Sequence, residues 1–161
     1  MTFNEYKENI EKNFNNVLCE KIKNFSIDVM YSEKFDWKWI ATKLKIFSFI
    51  SFSESIKEET IKEYTKECFE YSRKNYKGLL RGLQNGFVSF AVLVSENIDE
   101  SAINFVKGRP KKHFAAFEMP IILDLKNREL YFYQDTPIWG MIYYKYFREY
   151  IKMNFNILSQ K

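Results

Sequence analysis

The hydrophobic positions of this chain change their spacing several times, and each change marks an element. Phe3, Tyr6, Ile10, Phe14, Val17, Leu18, Ile22 and Phe25 recur every three or four residues, which predicts an amphipathic helix over about 3–25. Glu8, Glu11, Lys12 and Asn15 form its solvated side, and Thr2 with Glu5 supplies a capping box at its start. Residues 24–38 read as a connector. From about Ala41 to Phe52 the spacing falls to two, with Leu44, Ile46, Ile50 and Phe52 on one side and Phe47 and Phe49 on the other. A strand apolar on both faces belongs inside a sheet covered from both sides. Ser55 and Glu58 then open a helix reaching about Tyr76, with Ile61, Tyr64, Cys68 and Tyr71 along one stripe. A loop punctuated by Gly78, Gly82 and Gly86 leads to Phe87–Val94, a second strand apolar on both faces.

Asn97 and Glu100 cap a short helix carrying Ile98, Ala102, Ile103 and Val106, and Gly108 is placed to stop it in a left-handed conformation ahead of Pro110. Ile121–Leu125 reads as a strand, with a first leg at Phe114–Phe117. Lys126-Asn127 makes a turn, and Glu129–Gln134 pairs back. Thr136 as N-cap and Pro137 at the first helical position start a last helix, whose polar stripe is Lys145, Arg148, Glu149 and Lys152. The predicted order is α-β-α-β-α-β-β-α in a single globular domain over 1–161, the N-terminal helix packing on an α/β core at about 41–155. Two helical crossovers and a terminal hairpin give a mixed sheet of about four strands with helices on both faces.

This order, together with Met119-Pro120 leading into IILDL, a turn and ELYFYQ, resembles the thioredoxin-like superfamily over about residues 41–155. The resemblance implies a proline just before the third core strand, facing an active site. The family's CxxC motif is absent, since the loop after the first strand reads SFSES, so thiol–disulfide chemistry is not implied.

Composition changes this picture in one respect. Sixteen Phe, 11 Tyr and 3 Trp make 19% of the 161 residues; a domain this size can bury many rings, and some are expected at the surface, where tyrosine suits interfaces. Charge changes it little: 25 basic and 21 acidic side chains are interleaved, so the net +4 describes a mixed solvated surface rather than a nucleic-acid footprint. Two cysteines are too few for a disulfide framework, and Cys68 falls on an apolar helix face as a core residue. The most apolar run, Ile46–Phe52, is far short of the ~20 residues that span a bilayer, and residues 1–25 carry charge every few positions. A cytoplasmic protein without membrane contact is expected.

Candidate chemistry is sparse. Glu118 stands in an apolar run, FAAFEMPII, and would be a functional acid if buried, or a solvated edge residue if not. Asp124-Leu-Lys126 has the acidic-x-Lys spacing of metal-dependent nucleases, although a strand-end aspartate accepting backbone hydrogen bonds looks the same. Arg109, Lys111, Lys112 and His113 surround Pro110 and could hold a phosphate or simply be solvated. Gly78, Gly82 and Gly86 form no phosphate loop, because no Gly-Lys-Ser/Thr follows. Trp139, Tyr143, Tyr144 and Tyr150 cover more of the last helix than one buried stripe, as an aromatic patch for a protein partner or a second copy, or as a helix wedged between two layers. The expectation is a non-catalytic binding protein of accessory, immunity or inhibitor type, with no metal or cofactor and at most weak nucleic-acid contact. The alternative is a metal-dependent phosphodiesterase or other phosphate-substrate enzyme using Glu118, Asp124 and the 109–113 loop. Convergence of Glu118, Asp124 and His113 in one cleft would favour the enzyme.

Overall fold

The structure, a computed structural model, describes residues 1–36, 42–77, 85–138 and 141–156. Helix α1 spans Phe3–Glu11 behind the expected capping box, in which the Thr2 N–H donates to Glu5 Oε2 at 2.8 Å. It stops there, well short of residue 25. Asn13, Asn15 and Asn16 favour turns over helix, and the chain continues as β1 (Val17–Ile22) and β2 (Phe25–Asp36). The expected connector over 24–38 is thus mostly strand. Its period-two alternation of Phe25, Ile27 and Val29 supplies buried side chains to one face. Lys23, at φ 52°, turns the β1–β2 hairpin.

The remaining elements follow more closely. They are β3 (Thr42–Phe52), α2 (Glu58–Asn75), β4 (Asn85–Ser95), α3 (Glu100–Lys107), β5 (Lys112–His113), β6 (Ala116–Asp124), β7 (Glu129–Tyr131) and α4 (Met141–Phe155). Three local expectations are corrected. Helix α3 is capped at Asp99 rather than Asn97, whose carbonyl accepts from the Ile56 N–H instead. Gly108 is extended at φ −69° and closes the helix through its N–H to the Asn104 and Phe105 carbonyls, without a left-handed turn. Thr136 and Pro137 lie in irregular chain ahead of α4, and Pro137 is buried rather than starting the helix.

Among the described residues seven strands, rather than about four, form one mixed sheet in the order β1-β2-β3-β4-β6-β5, with β7 also pairing β6. β1, β2 and β3 are an antiparallel meander, whereas β3, β4 and β6 are parallel through the α2 and α3 crossovers. Strands β1 and β2 are added ahead of the 41–155 stretch that resembles the thioredoxin-like superfamily. Pro120 stands mid-strand in β6 opposite Ala91 rather than ahead of a strand, and no cis peptide bond occurs among the described residues.

The sheet is the middle of three layers. One face packs Leu44, Val88, Phe90, Met119 and Ile121 against α1 and α4. The other packs Phe47, Phe49, Phe87, Leu93 and Ile122 against α2 and α3. α1 and α4 are tied together where the Tyr6 hydroxyl donates to the Phe155 carbonyl at 3.1 Å. Among the described residues, no helix is long and apolar enough to cross a membrane.

Candidate functional site

Every residue of β6 is buried, so its alternation divides the strand between the two cores. Phe117, Met119, Ile121 and Leu123 face α4, which sends Glu118 to the α2–α3 side, only 7% exposed. A carboxylate there needs a partner. It finds one in His113, whose Nε2 lies 3.1 Å from Glu118 Oε2. The pairing depends on the Phe114-Ala115 turn between β5 and β6, where Ala115 adopts φ 50° and folds His113 back over the strand. The imidazole is also held flat on Phe69 of α2, ring centroids 4.2 Å apart. Gly86 seats the turn from below: a Cβ on it would stand 2.9 Å from the Ala115 carbonyl oxygen.

Two further polar groups surround this pair. Ser89 is the register partner of Glu118 on β4, and Thr65 projects from the buried stripe of α2. Both are at most 2% exposed, and neither hydroxyl finds a hydrogen-bond partner among the described residues. Buried hydroxyls are satisfied in most native proteins, so two orphans beside a buried carboxylate single out the place.

Above them opens a cavity of about 450 Å³, reached by Thr65, His113 and Glu118. Phe69, Phe105 and the 78% exposed Phe114 supply its apolar walls. Lys62, Lys66, Arg73 and Lys111 form its basic rim, with Glu70 as the acidic member. Lys62 pairs with Glu58, and Arg73 pairs with Glu70 at 2.5 Å. Lys66 and Lys111 have no ion pair among the described residues.

The other expected site residues are dispersed. Asp124 ends β6, six residues from Glu118 and so about 20 Å along an extended strand. Its carboxylate accepts from the Asn127 N–H at 2.9 Å and from Asn127 Nδ2 at 2.8 Å, which makes it the cap of the β6–β7 turn. The acidic-x-Lys spacing therefore does not put Asp124 with Glu118 and His113. No three His, Cys, Asp or Glu side chains gather to hold a metal ion among the described residues. The basic loop divides: Lys111 reaches the first cavity, while Arg109 and Lys112 line a second of about 330 Å³ beside Tyr144.

The tyrosines of α4 are mostly inside. Tyr144 and Tyr150 are buried in the α1–α4 core, Tyr150 stacks on Phe90 at 4.7 Å, and its hydroxyl meets Ser48 Oγ at 3.1 Å. Tyr143 is partly buried against Phe117. Burial pushes the Tyr144 phenol up to about 12. An open patch made of these rings is not what α4 presents; its exposed apolar side chains are Met141, Ile142 and Met153. Trp139 lies outside the described residues.

Sequence reasoning passed over Thr65, Ser89, Phe69 and Phe105. A signal was present for two of them: Ser89 interrupts the apolar run FVSFAVLV, and Thr65 occupies an apolar position between Tyr64 and Cys68. Comparison with protein-family models, with curated proteins and with solved structures returns no match to this chain.

Proposed function

We propose that this chain is a non-catalytic binding protein whose ligand, a small organic anion, occupies the cavity over Glu118 and His113. The observation carrying this reading is the Thr65 hydroxyl, buried and unpartnered at the cavity wall, beside a carboxylate that is itself buried. Leaving a buried polar group unsatisfied costs stability, and a ligand that hydrogen-bonds to it repays that cost on binding. The volume lies within the range of small-molecule sites, and apolar walls with a few polar groups are their usual make-up. The basic rim gives the ligand its sign. The binding surface is thus a concave one on the α2–α3 side, not the tyrosine face of α4.

Titration with phenyl phosphate and with benzoate, followed in ¹H–¹⁵N spectra, is expected to move the amides of Thr65, Phe105 and His113 while leaving α1 and α4 in place. Unchanged spectra at 10 mM of both would remove the reading. A second reading rests on the 3.1 Å His113–Glu118 contact, which is how a general base is oriented. It makes the protein a phosphate-ester hydrolase at the same cavity. Turnover of p-nitrophenyl phosphate that disappears in His113→Gln would put it first.

A further inference from the structure

We infer that the ligand of this cavity is a nucleoside phosphate, its base against Phe105 and Phe114, its amino edge on Glu118 and Thr65, and its phosphate on Lys66 and Lys111. This rests on the binding reading above and gives the ligand a chemical class.

The floor decides which end of the ligand enters. An ionised carboxylate only accepts hydrogen bonds, and one oxygen of Glu118 is already engaged by His113. A second anion placed there would be repelled, so the deep end must present N–H donors. The neighbouring Thr65 hydroxyl can accept one bond and give another, which suits the mixed edge of an amino-substituted heterocycle. The walls decide the shape of that end. Phe114 leaves 78% of its surface open at the cavity, and Phe105 stands at the same opening with Lys62 Nζ 5.5 Å from its ring centroid. Flat rings stack on such faces regardless of sequence or substituent.

The rim decides the other end. Its four basic side chains face one acidic one, Glu70, and Lys62 and Arg73 are already paired. Lys66 and Lys111 are left to neutralise an anion outside the ring-binding zone. Donors deep, aromatic surface midway and a dianion at the mouth is the layout of a nucleotide entering base first. A base-free phosphate would use the rim alone and leave the Thr65 hydroxyl as it is.

Isothermal titration with GMP, AMP, CMP, UMP, the matching nucleosides, inorganic phosphate and phenyl phosphate tests this. At least one amino-bearing nucleotide is expected to bind in the micromolar range, and UMP, whose base lacks an exocyclic amine, at least tenfold more weakly. Lys66→Ala with Lys111→Ala should weaken that nucleotide at least tenfold and leave its nucleoside unchanged. Glu118→Gln should weaken both. Phe114→Ala, at an exposed position where folding is not at stake, should do the same and covers the case in which the Glu118 variant does not fold. Inorganic phosphate binding as tightly as any nucleotide would overturn the inference. If phenyl phosphate binds while no nucleotide does below 1 mM, the nucleotide assignment falls and the binding reading stands. If none of the panel binds, both fall.

Discussion

Replacing Thr65 with valine should make this protein more stable while weakening its site. The two side chains are nearly isosteric and differ little in helix propensity, so the substitution exchanges one hydroxyl for one methyl in place on α2. Thr65 is 2% exposed and its hydroxyl has no hydrogen-bond partner among the described residues. An unsatisfied buried hydroxyl costs about 1–3 kcal/mol, and burying the added methyl contributes up to ~0.8 kcal/mol more. Burial figures of this kind are upper bounds, because the unfolded chain already hides part of its surface, so the lower end of that sum, a net gain of about 1–2 kcal/mol, is expected for the ligand-free protein. With a urea dependence of about 2 kcal/mol per molar, the midpoint should rise by about 0.5–1 M. For a chain of this length Tm should rise by ~2–8 °C. The assay is equilibrium urea unfolding followed by far-UV circular dichroism, with Ser89→Ala as a parallel case. A midpoint that falls, or that moves by less than about 0.2 M, would show that the hydroxyl is satisfied in the folded protein. The deduction that it waits for a ligand would then fail.

Three further outcomes follow from the packing and the local electrostatics. Phe90→Ala removes the ring that Tyr150, Phe147 and Phe155 all pack against and should cost about 3–5 kcal/mol in the same urea assay; a loss under about 1.5 kcal/mol would mean that α4 is not held on the sheet by this stack. Cys19 is exposed, but its thiol donates to Asp28 Oδ1 at 2.9 Å, and that hydrogen bond to a carboxylate raises the thiol pKa. A disulfide reagent should therefore modify Cys19 with a pH midpoint above the ordinary thiol range, lowered by Asp28→Asn, while burial keeps Cys68 unmodified until the protein unfolds; rapid native labelling of Cys68 would contradict the core assignment. Gly86→Ala should destabilise the protein by about 1–3 kcal/mol, because the new Cβ meets a backbone oxygen at 2.9 Å, and it should displace His113; an unchanged midpoint together with an unchanged His113 ring resonance would refute this.

The long, uninterrupted elements were legible because their hydrophobic period is unambiguous. β3, α2 and β4 lie within a few residues of where the spacing of Leu44, Ile61 and Phe90 puts them. The N-terminal region was not legible. Phe3 through Phe25 happen to keep a helical spacing across Asn13–Asn16, and β1 is an outer strand with no buried residue to show alternation. Losing β1 and β2 also explains the aromatic surplus. A seven-stranded sheet is wide enough to need α1 and α4 together on one face, and Tyr144, Phe147 and Tyr150 fill that space. In the site, Glu118 was visible as a charge in an apolar run, and His113 as part of a basic cluster. Their meeting was not, because β5 is only two residues long and its turn uses Ala115 in a left-handed conformation that no glycine or asparagine announces.

The division of the site between a fully buried strand and its periphery has a consequence for how it can be redesigned. Glu118 and Ser89 belong to strands that brace both cores, so exchanging either perturbs the interior of the molecule. Phe114 and Lys111 sit on the β5 side, and Lys66 on the outer side of α2, where new side chains meet solvent rather than the core. Selectivity for the outer half of a ligand is therefore separable from foldedness. Mutational libraries confined to Lys66, Lys111 and Phe114 can retune the mouth of this cavity while the polar floor stays as a fixed anchor.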